Sequence, residues 1–215
     1  FATQSNFNMK SDWAAEHLQT IRTLMERSAI YRRALAPVMT VTGLVGIIAA
    51  IIGVALNITE MRAFASYWMG VSLVAIAGDY ILVRRQALKD KEEFWSPPTR
   101  RVTQAVLPAF FVGMIAGLFF IGWLNFSKFP VLLALIWVLL YGCALHAAGF
   151  FMPRGIRLFG WSFLVSGTAL LLFFMKLATW PDAKYGNLLM GFFFGAVQLA
   201  YGIYLYFTEQ RKNET

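Results

Sequence analysis

Apolar residues in this chain gather into six runs of about 20, separated by short polar gaps. The runs cover 36–56, 64–83, 105–126, 130–152, 158–176 and 187–207. At 1.5 Å per residue each would span the ~30 Å hydrocarbon core of a bilayer as a helix. β-barrel strands need strict apolar–polar alternation over about 10 residues. Stretches such as Ile47-Ile48-Ala49-Ala50-Ile51-Ile52 and Leu170-Leu171-Leu172-Phe173-Phe174 do not alternate, so the runs predict helices. The fold expected is an all-α integral membrane protein. Its six transmembrane helices form three antiparallel hairpins, because the odd-numbered gaps are short.

Before the first run, residues 11–35 follow a helical period. Ser11 or Asp12 can cap this segment, and Ala14, Leu18, Ile21 and Met25 fall on one stripe. It is read as a cytoplasmic or interfacial amphipathic helix, with Leu18, Ile21 and Met25 touching lipid or a partner. Residues 1–10 read as a leader outside the fold, where Gln4-Ser5-Asn6 is similar to the remnant of a cleaved tag. No cleavable signal peptide is read in this polar start. Residues 208–215 read as a cytoplasmic tail, leaving 36–207 as the bundle. The gap 84–104 is the longest. Its first part should continue the second helix, and Pro97-Pro98 should stop it.

The charges orient this arrangement. Of the 19 Lys and Arg residues, all but Arg62, Lys128, Lys176 and Lys184 lie in the N-terminal segment, the even-numbered gaps or the C-terminal tail. By the positive-inside rule both termini are cytoplasmic, in the plasma membrane, here read as a bacterial inner membrane. The net charge of +8 is thereby spent on topology, and no nucleic-acid partner is expected. Arg84, Arg85, Arg100 and Arg101 would face anionic inner-leaflet lipids or a cytoplasmic protein. A hydrophobic fraction of 59% with only 14% charged residues excludes an ordinary soluble domain.

Ionisable groups within hydrocarbon are costly and mark functional candidates. Asp79 and His146 are the two set well inside the runs, and both fall in the cytoplasmic halves of their helices. Asp79 either pairs with the nearby Arg84 or Arg85, or binds a proton or cation. His146 follows Cys143 at helical spacing, but a zinc site wants three or four protein ligands and no other Cys or His lies in the membrane, so no metal or cofactor is expected. Gln198, in mid-membrane, must find a polar partner, for which Tyr141, Ser162, Ser166 and Tyr201 are candidates. Asp79, His146, Gln198, Ser162 and Tyr201 form the candidate ligand set, with no catalytic residue among them. Thr40 and Thr42 also fall in the cytoplasmic halves, whereas 47–56 and 131–140 are wholly apolar. This suggests polar lining for half a path.

Gly113-x-x-x-Gly117 and Gly191-x-x-x-Gly195 allow close helix approach, within the bundle or across a homodimer. Trp68, Trp123, Trp161 and Trp180 are expected in the aromatic belts. Asn57-Ile58-Thr59 and Asn125-Phe126-Ser127 match the glycosylation sequon. No phosphate-binding glycine loop or hydrolase signature occurs. The function expected is non-enzymatic: a sensing, regulatory or assembly protein acting from its cytoplasmic face. The alternative is a small proton- or cation-coupled transporter using Asp79 and His146.

Overall fold

A computed structural model describes residues 35–89, 95, 97–122, 130–152, 154–177 and 180–213. The expected helix over 11–35, apart from Leu35, lies outside the described residues with Leu18, Ile21 and Met25, as do Trp123 and Asn125. The chain is all-helical among those described, and six helices are long and apolar enough to cross a membrane. They are α1 (Leu35–Ala55), α2 (Met61–Lys89), α3 (Pro97–Gly122), α4 (Pro130–Ala148), α5 (Arg154–Leu177) and a composite sixth span. The sixth joins α6 (Lys184–Met190), a π-helical turn (Gly191–Val197) and α7 (Gln198–Asn213) in one rod. Large apolar side chains, among them Ile51, Leu73, Leu107, Phe111, Val165, Leu172 and Phe192, stand exposed around the bundle. Apolar surface on this scale is what a membrane-embedded protein presents to lipid.

Several helix ends depart from the hydropathy pattern, each for a local reason. α1 stops where Asn57 adopts a left-handed backbone, φ 51°. The Ile58 N–H then reaches the Gly53 carbonyl at 2.9 Å, and the Asn57 N–H reaches that of Val54 at 3.0 Å. This is a Schellman closure with Asn in the position glycine usually takes. α2, at 29 residues, is about 44 Å long and runs through Arg84 and Arg85 beyond the hydrocarbon thickness. Pro97 and Pro98 do not end it. They open α3 instead, where a missing N–H costs nothing because first-turn donors have no helical acceptor. α4 ends at Ala148 rather than 152 although Phe150 and Phe151 prolong the apolar run. A side chain at Gly149 would meet the Arg157 backbone at 2.8 Å, so the chain turns there to let α5 approach.

α4 is the most buried helix and packs on α3, α5 and α6. Hairpin pairs are therefore not the only contacts that organise the bundle. Between α4 and α5 the backbones nearly touch. A Cβ on Gly160 would sit 2.6 Å from the His146 nitrogen, and one on Gly142 would sit 3.0 Å from Phe163 and Leu164. α1 lies equally close to the sixth span, through Gly43 and Gly46 on one side and Gly195 and Gly202 on the other. One apolar cluster centres on Phe64, Trp68, Leu133 and Ala134. A second centres on Val138, Phe159, Phe163 and Phe193. Antiparallel packing gathers Leu35, Lys89, Ala148, Arg154 and Asn213 at one end. That basic end carries Arg84, Arg85, Arg100, Arg101, Arg154 and Arg157.

Candidate functional site

Two polar assemblies hold the interior. The first lies toward the end opposite the basic one and centres on Asn187, which is 0% exposed. Its Oδ1 accepts the Trp68 indole N–H at 2.9 Å, and its Nδ2 donates to the Ile58 carbonyl at 2.8 Å and to that of Gly53 at 3.4 Å. One carboxamide thus reads the Schellman closure of α1 and ties it to α2 and α6. The Tyr67 hydroxyl adds a bond to the Ala49 carbonyl at 2.7 Å. Two expectations change here. Trp68 is buried, 3% exposed, and not part of a lipid-facing belt. The half of the bundle expected to be bare of polar groups contains the knot in which every Asn187 side-chain group finds a partner.

The second assembly crosses the bundle nearer the basic end. Asp79 of α2 accepts a hydrogen bond from the Thr42 hydroxyl of α1 at 2.8 Å. Arg84 and Arg85 are exposed, and among the described residues Asp79 makes no ion pair. The expected pairing with the basic exit of α2 does not form there. Gln198, 0% exposed, donates from Nε2 to the Tyr141 hydroxyl of α4 at 2.6 Å, while its Oε1 is buried without a partner. The two pairs lie at one level. Gly43 packs on Leu199, Gly46 on Gly195 and Gly202 on Thr40, an antiparallel register that sets Thr42 opposite Ala200. Gln198 is then displaced from Thr42 by about 3 Å along the axis.

Gln198 is the first residue after the π-helical turn. Such turns put an extra residue into a helix and recur at functional sites. Gly191 and Gly195 let this turn lie directly on Ala50 and Ile47 of α1. Gly113 and Gly117 likewise face Trp137 of α4 and, for Gly117, Met69 of α2. Both glycine pairs are therefore occupied within the chain.

The other candidates do not join this assembly. His146 stands edge-on to Phe150 and Trp161, each ring centroid 5.4 Å away, with its Nδ1 buried and unpartnered. Trp161 belongs to α5, and among the described residues no hydrogen bond or ion pair links His146 to Asp79. Cys143 is exposed, and among the described residues no group of three His, Cys, Asp or Glu side chains could hold a metal. Ser162 is exposed and gives its hydroxyl to the Phe159 carbonyl of its own helix at 2.7 Å. Tyr201 stacks on Phe159 at 4.1 Å. Of the partners foreseen for Gln198, Tyr141 is the one that meets it. Arg100 and Arg101, like Arg84 and Arg85, are exposed at the basic end.

The magnitudes say which assembly is structural. Asn187 satisfies its neighbours completely. Asp79 has one hydrogen-bond donor among the described residues, the Thr42 hydroxyl. A charged Asp costs up to about 2.5–3.5 kcal/mol at the centre of a spanning helix and less toward its end, and a hydrogen bond to a charged group returns about 1.5–3. The unpartnered Gln198 oxygen adds a further desolvation cost of about 1–3 kcal/mol. Such a layer can accept hydrogen bonds or positive charge. Comparison with protein-family models, with curated proteins and with solved structures found no match.

Proposed function

We propose that this is a non-enzymatic membrane protein that works from its basic end as a sensing, regulatory or assembly subunit. In this reading the basic end is cytoplasmic, both termini lie inside a bacterial plasma membrane, and the spans insert as hairpins one–two, three–four and five–six. The segment 11–35 rests on the anionic inner leaflet and, with Arg84, Arg85, Arg100 and Arg101, forms the contact surface for lipid and a cytoplasmic protein. A homodimer through the glycine pairs is not part of the proposal, since those glycines face their own chain. The observation that carries it is the Trp68–Asn187–Ile58 knot, which supports a bundle closed at the far end. A pore needs polar lining along its whole length.

The test places a photo-crosslinking residue at position 84 or 101 in cells. A single discrete adduct, lost on charge reversal of the neighbouring arginines by Arg85→Glu and Arg100→Glu in a folded protein, is expected. No discrete adduct at either position would overturn the reading.

Asp79, held by a hydroxyl and not by a cation among the described residues, favours a second reading as a cation-coupled transporter. His146 drops out of that reading because its neighbours are aromatic. Proton or alkali-ion flux into liposomes, abolished by Asp79→Asn, would establish it. Silent liposomes would dismiss it.

A further inference from the structure

The second polar assembly has a composition that selects its ligand. Its groups are the Asp79 carboxylate, the Thr42 and Tyr141 hydroxyls and the Gln198 amide oxygen, brought to one level by the packing of Gly43 on Leu199. All four ligating atoms are oxygens. Oxygen sets suit hard cations and not the thiolate- or imidazole-loving metals. The hydrogen bonds already made leave acceptors in surplus. Thr42 gives its proton to Asp79, Tyr141 receives the Gln198 amide proton and keeps its own O–H, and Gln198 Oε1, in a side chain 0% exposed, receives none.

The charge count narrows the class. The assembly holds one carboxylate and, among the described residues, no cationic partner for it. A divalent ion would leave a net positive charge in a low-dielectric interior, where uncompensated charge is expensive. A monovalent ion balances the site. We infer that Thr42, Asp79, Tyr141 and Gln198 form an intramembrane binding site for an alkali-metal cation, reached from the basic end. The site binds whether the ion is carried across or only sensed, so it stands or falls apart from the function proposed above.

The experiment uses the full chain purified in detergent, with radioactive sodium and rubidium tracers at constant ionic strength in choline chloride. Saturable binding of at least one ion is expected, displaced by the unlabelled ion and not by choline. Asp79→Asn should abolish it, and Gln198→Leu should weaken it at least about tenfold, the loss seen when even outer groups of a metal site are removed. Gln198→Glu keeps an oxygen at that position, adds a negative charge, and should retain or strengthen binding. It guards against variants that lose binding only by unfolding, as do size-exclusion profiles and circular dichroism of each protein. Absence of saturable binding for both tracers overturns the inference. So does binding that survives Asp79→Asn, loss of binding in a folded Gln198→Glu, or proton uptake at Asp79 that alkali ions leave unchanged.

Discussion

Replacing Asn187 by Leu removes the knot while keeping the number and branching of side-chain heavy atoms, and the cost of the lost bonds can be worked from the contacts. The Trp68 N–H loses its acceptor at 2.9 Å and the Ile58 carbonyl loses a donor at 2.8 Å. The Gly53 carbonyl loses little, because its bond to Asn187 is long at 3.4 Å and it already accepts from Ile58. A buried group left unpaired costs about 1–3 kcal/mol. Side-chain hydrogen bonds in membranes average nearer 0.6, with a maximum of about 1.7. Two lost partners, weighed between these limits, give about 2–4 kcal/mol of destabilisation. Trp68→Phe deletes the same indole bond from the other side, so Asn187→Leu and Trp68→Phe should couple by about 1 kcal/mol in a double-mutant cycle. Unfolding in mixed micelles titrated with dodecyl sulfate, followed by circular dichroism, measures all four proteins. A loss below about 0.5 kcal/mol for Asn187→Leu, or strictly additive variants, would refute the reasoning.

Other consequences follow from the same geometry. Gly43→Ala and Gly46→Ala put a methyl group into the Leu199 and Phe194 backbones, which cannot swing aside, and should each destabilise by about 1–3 kcal/mol in that titration. Gly70→Ala meets nothing within 4 Å and should be neutral or stabilising by up to about 1 kcal/mol. Tyr141→Phe keeps the ring contacts with Phe163 and Phe194 but leaves Gln198 wholly unpaired, for a loss of about 1–3 kcal/mol. Adding Gln198→Leu should recover most of that loss, since removing both partners of a buried bond is nearly neutral. Cys143 is exposed on the surface of α4, so a water-soluble maleimide should label it slowly in membranes and quickly after detergent unfolding. Rapid labelling in intact membranes would mean that water reaches that face.

The spans were legible because hydrocarbon demands long apolar runs and internally bonded backbone. Their ends were less so. Phe150 and Phe151 continue the apolar pattern of α4, and only the nearness of the Arg157 backbone to Gly149 explains the turn. Asn57 reads as a sequon in the sequence and serves as a helix cap in the fold. Asp79 and Gln198 stood out as polar residues in apolar runs, but their partners did not. Thr42 is 37 positions from Asp79 and Tyr141 is 57 from Gln198, and which helices pack together decides such pairs. Asn187 escaped notice because it opens an apolar run, where a polar residue needs no explanation. Its bond to Trp68 spans 119 positions. The π-helical turn before Gln198 has no local sequence signature, and Gly191 and Gly195 read equally well as a dimer motif.

The central claim is that the basic end faces the cytoplasm and is the working face. Single cysteines in a Cys143→Ser background test it directly, at position 100 on the basic end and at position 182 on the opposite end. With a membrane-impermeant maleimide applied to intact cells, the Asp182→Cys protein should be labelled at once, and the Arg100→Cys protein only after the membrane is permeabilised. Labelling of Arg100→Cys in intact cells, with Asp182→Cys protected, would contradict the account.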